Sequence, residues 1–220
     1  MRPINADFTR RVVVNTVLRR WQRSPAPGVW RKRLYLSGEA ESGPVTSIVR
    51  YDKGSRFPSH EHPEGEEVLV LGGAFSDEHG HYPAGTYLLN PPGSRHAPRS
   101  DEGAELFVRL CQYRGRERIA FDTGSASWRP RDNPGIAYLA LYGEPGSGAR
   151  MQFERWRAGA TQSAHEHTDL IEIYVLDGTF VDEHGRYPAR TWIRYPVGSS
   201  HAPGSPAGCT LFTRVSEPPA

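Results

Sequence analysis

Apolar and polar residues alternate over short stretches of this chain, and glycine, proline and acidic turns separate the stretches. Thr46-Ser47-Ile48-Val49-Arg50-Tyr51 alternates and stops at Asp52-Lys53-Gly54. Glu67-Val68-Leu69-Val70-Leu71 is an apolar, β-branched run ending at Gly72-Gly73, and Ala74-Phe75-Ser76-Asp77 enters a hairpin signal at Glu78-His79-Gly80-His81. Gly85-Thr86-Tyr87-Leu88-Leu89 and Glu105-Leu106-Phe107-Val108-Arg109-Leu110 read the same way. A period of two with turn residues between the runs predicts strands. No stretch of ten or more residues keeps a 3.6-residue period, so no amphipathic helix is expected. Residues 9–20 could be drawn as a helix, but the core Val12-Val13-Val14-Asn15-Thr16 favours an extended strand.

The pattern is written twice. Arg11-Val12-Val13-Val14-Asn15-Thr16, Trp21 and Pro27-Gly28 match Arg118-Ile119-Ala120-Phe121-Asp122-Thr123, Trp128 and Pro134-Gly135, 107 residues apart. From Gly54 against Gly159 the offset is 105, and residues 60–98 share 22 of 39 positions with residues 165–203. Self-similarity of this kind marks a duplicated structural unit. The expected domains are therefore residues 1–114 and 115–220, divided near Arg114-Gly115-Arg116-Glu117. About 105 residues suffice for one small core, and evenly spaced short strands predict an all-β fold of two barrels, with a jelly roll fitting the length.

Charge and composition narrow the partners. A net charge of +2 with 24% charged residues does not point to nucleic acid or an anionic membrane. The apolar runs are too short to span a bilayer as helices, and the first residues lack the apolar core of an export signal, so the cytoplasm is expected. Cys111 and Cys209 do not occupy matching positions, so no disulfide framework is expected and each reads as a small apolar residue.

The chemistry lies in the histidines. His60-Glu61-His62 places two imidazoles on one face of a strand, and His96 returns after a hairpin. His165-Glu166-His167 and His201 repeat the arrangement. Three neutral imidazoles with a carboxylate suit a divalent transition metal, zinc or iron, one per domain. In the first copy either Glu66 or Glu67 could be the carboxylate, since neighbours on a strand face opposite ways. The spacing to Gly73 favours Glu66, whereas the repeat alignment pairs Glu66 with Ile171 and Glu67 with Glu172. Glu172 is the candidate carboxylate of the second copy; were geometry to exclude it, that site would hold three histidines only. His79, His81 and His184 read as solvated turn residues, and Trp21 and Trp128 as packing residues of the repeat.

These residues resemble the cupin superfamily. Its first motif is G-x5-H-x-H-x(3,4)-E-x6-G, met by Gly54, His60, His62, Glu66 and Gly73; its second, G-x5-P-x-G-x2-H, is met by Gly85, Pro91, Gly93 and His96. The second copy has Gly159, His165, His167, Gly178, Pro196, Gly198 and His201, with Arg190 in place of a motif glycine. Within the superfamily the chain resembles the ChrR-type cupins. The resemblance implies two tandem double-stranded β-helix barrels binding metal through His60, His62, Glu66, His96, His165, His167, Glu172 and His201.

Two functions of different class follow from it. One is a regulatory or sensor module like the metal-binding domain of zinc anti-sigma factors, here without room for the sigma-binding domain. The other is a non-haem metal-dependent dioxygenase acting on small diketone or hydroxyacetophenone substrates. Expected partners are a small-molecule ligand or substrate, with no nucleic acid and no membrane. The duplication could itself stand in for the dimer of a single-copy cupin, so a homodimer is left open.

Overall fold

The computed structural model describes residues 2–38, 43–143 and 149–217. Among them there is no α-helix; every long element is a strand and every pairing is antiparallel. Among the described residues no helix is long and apolar enough to cross a membrane. The strands form two compact units, each an antiparallel jelly-roll barrel. Unit 1 comprises Met1–Ala6 and Arg19–Ala126, and unit 2 comprises Asp7–Leu18 and Ser127–Ala220.

The compact units therefore do not follow the repeat boundary at 114–117. In unit 1 the main sheet runs in the order Ile119–Asp122, Thr86–Asn90, Glu66–Asp77, Ala104–Leu110, Val45–Tyr51, Val29–Leu36 and Gln22–Arg23. Its first strand comes from the second copy of the repeat. In unit 2 the order is Val12–Asn15, Thr191–Tyr195, Leu170–Asp182, Cys209–Ser216, Arg150–Trp156, Ile136–Gly143 and Arg129–Pro130. Here the first strand comes from the first copy. All five residues of Thr86–Asn90 are buried, as are all five of Thr191–Tyr195. A strand buried on both faces needs a neighbour on each edge, and the exchanged strands supply it. Residues 9–20 are accordingly a strand, Val12–Asn15, followed by a single 3₁₀ turn, Thr16–Leu18.

The interior of each barrel is apolar. Val49, Tyr51, Val68, Val70, Phe75 and Val108 pack together in unit 1, and Trp156, Ile173, Val175, Phe180, Ile193 and Leu211 in unit 2. One irregularity aims the long central strand. Leu106 pairs with Val70 but Glu105 pairs with Gly72, so Leu71 is an extra residue. A bulge reverses which parity faces inward. Below it Glu66, Val68 and Val70 point into the barrel; above it Phe75 and Asp77 do. Leu176 is the extra residue at the matching place in unit 2, between Val175 and Asp177.

Gly73 shows why the first motif ends in glycine. Its φ is +67°, and a Cβ there would lie 1.9 Å from the Gly103 carbonyl oxygen. The second motif's opening glycine is a milder demand. Gly85 has φ +90°, and Arg190 at the same place in unit 2 keeps φ at +68°, so the turn survives without glycine. Trp21 and Trp128 are half-buried rather than central. Lys32 and Arg50 lie over the Trp21 ring, and Arg155 lies 4.1 Å from the centre of Trp128.

Candidate metal centres

The short strand His60–His62 pairs with Ser94–His96, with His60 opposite His96. This ladder brings the three imidazoles together at the mouth of the first barrel. The ligand atoms of His60, His62 and His96 all lie within 4.8 Å of one another. His62 Nε2 and His96 Nε2 are 3.0 Å apart, and Glu66 Oε2 is 3.5 Å from the first and 3.6 Å from the second. Donors about 2.1 Å from one ion stand about 3.0 Å apart on an octahedron and about 3.4 Å on a tetrahedron. A single cation can thus touch this set. The four groups also carry the right chemistry, three imidazole nitrogens and one anionic oxygen.

Each ligand is held from behind. The Nδ1 of His60 lies 2.9 Å from the Pro58 carbonyl oxygen, which fixes the tautomer with the proton on Nδ1 and leaves Nε2 to bind. His96 Nδ1 lies 3.2 Å from Asp77 Oδ2, a carboxylate–histidine pair. Asn90 donates to Glu66 Oε2 at 2.8 Å. Asp77 in turn accepts from Tyr82 Oη and from the His79 and Gly80 amides. Arg118 donates to Tyr82 Oη and stands 3.8 Å from Asp77.

Glu67 is not at the cluster. It faces the other side of the sheet, where Arg109 donates to it at 2.7 Å and Tyr87 Oη at 2.7 Å. Glu67 and Arg109 are both buried. The first candidate centre is the triad His60, His62 and His96 with Glu66 beside two of its rings, and Glu67 belongs to a buried ion pair.

The second centre repeats the histidines but not the carboxylate. His165, His167 and His201 converge as the first three do, and His165 Nδ1 lies 3.0 Å from the Ser163 carbonyl oxygen. The counterpart of Glu66 is Ile171, which lines the cavity with Ile173. Glu172 lies between them on the strand and so faces the opposite side. There its register partners are Arg194 and Arg214 on the two flanking strands. The structure does not bring Glu172 to the imidazoles, for the same reason of alternation that takes Glu67 away. The buried Nε2 of His167 has no hydrogen-bond partner, as expected of a nitrogen that awaits a cation. Behind the triad, Asp182 stands 3.7 Å from His201 Nδ1 and accepts from Tyr187 and Tyr195 Oη at 2.6 Å each. Tyr195 replaces Asn90, and Arg11 replaces Arg118 at 3.5 Å from Asp182.

Electrostatics separates the two centres. Burial lowers the pKa of His60 and His62. Burial also opposes the charged form of His96, but Glu66 and Asp77 outweigh it and raise its pKa. Burial would raise Glu66, yet His62, His96 and the Asn90 hydrogen bond hold it below the usual carboxylate range. Asp77 is likewise pulled down to about 2, its hydrogen bonds from His96, His79 and Tyr82 overcoming its burial. Among the described residues no carboxylate joins the second triad, although Asp169 opposes the shift of His167. Burial and the neighbouring histidines lower both His167 and His201 to about 4.

A pH dependence follows for metal-free protein. The unfolded chain protonates these two histidines near 6.5 and the folded chain only near 4. Their joint contribution to stability is therefore complete above pH 6.5 and is lost as pH falls toward 4. Urea unfolding of stripped protein at pH 7 and pH 4.5, beside a His167→Gln/His201→Gln double variant, checks this. The variant should show the smaller loss between the two pH values.

Sequence reasoning missed Asp77, Asp182, Arg11 and Arg118 as supports of the centres. The available signal was their recurrence: both acids sit in the repeated Asp-Glu-His-Gly turns, and both arginines open the repeat. His79, His81 and His184 are exposed at those turns and outside both clusters.

The profile of the ChrR Cupin-like domain matches residues 9–114 and again 116–217. No curated protein matches the chain. Among solved structures, a candidate dioxygenase from Nostoc punctiforme is similar with a TM-score of 0.80 at 17% identity, over 96% of this chain and 84% of that one. A candidate glyoxylate-induced protein from Pseudomonas aeruginosa gives 0.76 at 14%, over 100% and 93%. A salicylate 1,2-dioxygenase variant from Pseudoaminobacter salicylatoxidans gives 0.61 at 14%, over 79% and 70%. At these identities the likeness concerns the fold.

Proposed function

The chain belongs to the ChrR cupin-like family in both of its repeats, and from that premise we propose that its first barrel is a non-haem metal centre that binds and oxidises a small molecule. The observation that carries this is the cavity above His60, His62, His96 and Glu66. It has a volume of about 50 Å³ and is walled by Val49, Tyr51, Phe57, Phe75 and Leu106, among others. A cation held only for structure would have its donors closed over it. Here the donors form the floor of a small chamber whose wall is mostly apolar, with Ser47 and Arg31 the polar exceptions.

Ferrous iron, once bound there, supplies dioxygen chemistry and Lewis acidity toward an enolate or catecholate oxygen. The protein's own part is to place donors and exclude water. His60, His62 and His96 bind as neutral rings, with tautomers set by Pro58 and Asp77. Glu66 offsets one positive charge and is oriented by Asn90. Val49, Tyr51 and Phe75 keep the chamber dry, which strengthens every charge interaction within it.

Family membership favours a second reading, a zinc-bound sensor in which the same chamber receives a ligand without turnover. Elemental mass spectrometry on anaerobically purified protein, followed by oxygen uptake with a panel of diketones and hydroxyacetophenones, separates the two. Iron that is lost with His60→Ala, and uptake that disappears with it, is the expected result. Zinc alone, with no uptake after iron loading, would leave the sensor reading.

A further inference from the structure

Because the two barrels are one sequence duplicated, each cavity position has a counterpart, and most wall substitutions run from apolar to polar, although Arg31 of the first cavity is replaced by Tyr138. The strand Val45–Tyr51 turns Val45, Ser47, Val49 and Tyr51 into the first cavity. Its counterpart Arg150–Trp156 turns Arg150, Gln152, Glu154 and Trp156 into the second. On the adjoining strand Val108 is replaced by Thr213. The second cavity is also larger, about 250 Å³ against about 50 Å³. Four apolar wall positions, Val45, Val49, Phe57 and Val108, have thus become Arg150, Glu154, Gln162 and Thr213, while the floor has lost its one carboxylate to Ile171.

These changes select a ligand by charge. In the first centre Glu66 offsets one of a cation's two charges. In the second, three neutral imidazoles offset none, so the floor calls for an anionic oxygen from outside the protein. Three carboxylates line the wall, and none of them joins the triad: Glu166 is exposed on the strand between His165 and His167, and Asp169, near His167, accepts from Thr168 Oγ1 at 3.0 Å. Glu154 accepts from Arg131 at 2.8 Å, from Gln152 at 2.7 Å and from Trp156 Nε1 at 3.1 Å, so its oxygens are engaged away from the triad. Arg150 adds a positive charge to the same wall, with its side chain on the cavity-facing side of the strand.

Building on the reading of His165, His167 and His201 as a metal triad, we infer that the second barrel binds a small oxygen-rich organic anion of the hydroxy-acid or keto-acid class. Its carboxylate occupies open positions on the cation, and its other polar groups meet Arg150 and Gln152. The two barrels then serve ligands of different class, the first with a largely apolar body and the second rich in oxygen.

Cobalt(II)-loaded full-length protein provides the test, with tartrate as probe and butyrate as the carboxylate that lacks further polar groups. Binding is read by calorimetry and by the visible cobalt spectrum, and cobalt is counted after gel filtration. Tartrate should bind at one equivalent, shift the spectrum and outcompete butyrate. The complex should persist in His60→Ala, vanish in His165→Ala and weaken at least about tenfold in Arg150→Gln, the loss of one charge-assisted hydrogen bond. Ile171→Glu should keep its cobalt and lose tartrate. A second triad that takes no cobalt overturns the metal reading and this inference together. A loaded triad that ignores tartrate, yields its cobalt to it, or binds it unchanged in both Arg150→Gln and Ile171→Glu overturns the ligand class alone.

Discussion

A Glu67→Ala variant is expected to lose about 3–5 kcal/mol of folding stability and to retain its metal, because removing one partner strands a buried charge. Arg109 donates to Glu67 at 2.7 Å, with side-chain exposures of 0% and 3%, and Tyr87 completes the cluster. Glu66→Ala, one residue away, should do the reverse. Its oxygen lies 3.5 and 3.6 Å from two imidazole nitrogens, so its removal strips a ligand from the first centre and leaves the ion pair behind the sheet intact. Guanidinium unfolding and metal titration of both variants measure the two effects independently. Equal metal loss from both would contradict the assignment of opposite faces.

Removal of residues 1–18 is expected to damage the second barrel, although by sequence this segment opens the first repeat. Val12–Asn15 pairs with Thr191–Tyr195 over four residues, and Arg11 supports Asp182 behind His201. Without them a buried strand acquires an open edge next to the second triad. Unit 1 loses the bridge of Ile4 to Leu36 and the Asn5 hydrogen bond to Leu34 but no strand of its main sheet. The shortened chain should therefore bind metal at the first centre, as judged in a His165→Ala background, and fail to bind it at the second in a His60→Ala background. Its melting curve should show an early loss of about half the amplitude of the β signal. Retention of the second metal would show that the exchanged strand is dispensable.

Much of this was legible beforehand, and the exceptions have physical causes. Alternation and turns give the strands, and duplication gives two barrels, because both are local or pairwise properties of the sequence. The H-x-H pairs give the triads because a period of two guarantees a shared face. The choice between Glu66 and Glu67 was different. It turns on a one-residue register, which the sequence spacing alone left open. The register is fixed by partners remote in sequence, Asn90 and Leu110 opposite Glu66. In the second copy the same parity puts Ile171, not Glu172, at the triad. The exchange of first strands left no local trace, since Val12–Asn15 and Ile119–Asp122 are homologous and fit either of two equivalent edges. Asp77 and Asp182 were hidden by their place in a hairpin turn, where an aspartate ordinarily serves the turn itself.

The exchanged strands also impose an order on synthesis. Ile119–Asp122 emerges soon after its partner Thr86–Asn90, so the first barrel can close early. Val12 must wait for Arg194, roughly 180 residues later, or about 10–35 s at ordinary elongation rates. For that interval Val12-Val13-Val14 is an unpaired apolar strand carried on a growing chain, the kind of segment that aggregates or recruits a chaperone. Arg10 and Arg11 precede it and Arg19 and Arg20 follow it closely. Such flanking charges oppose self-association of the nascent strand until its place in the second barrel exists.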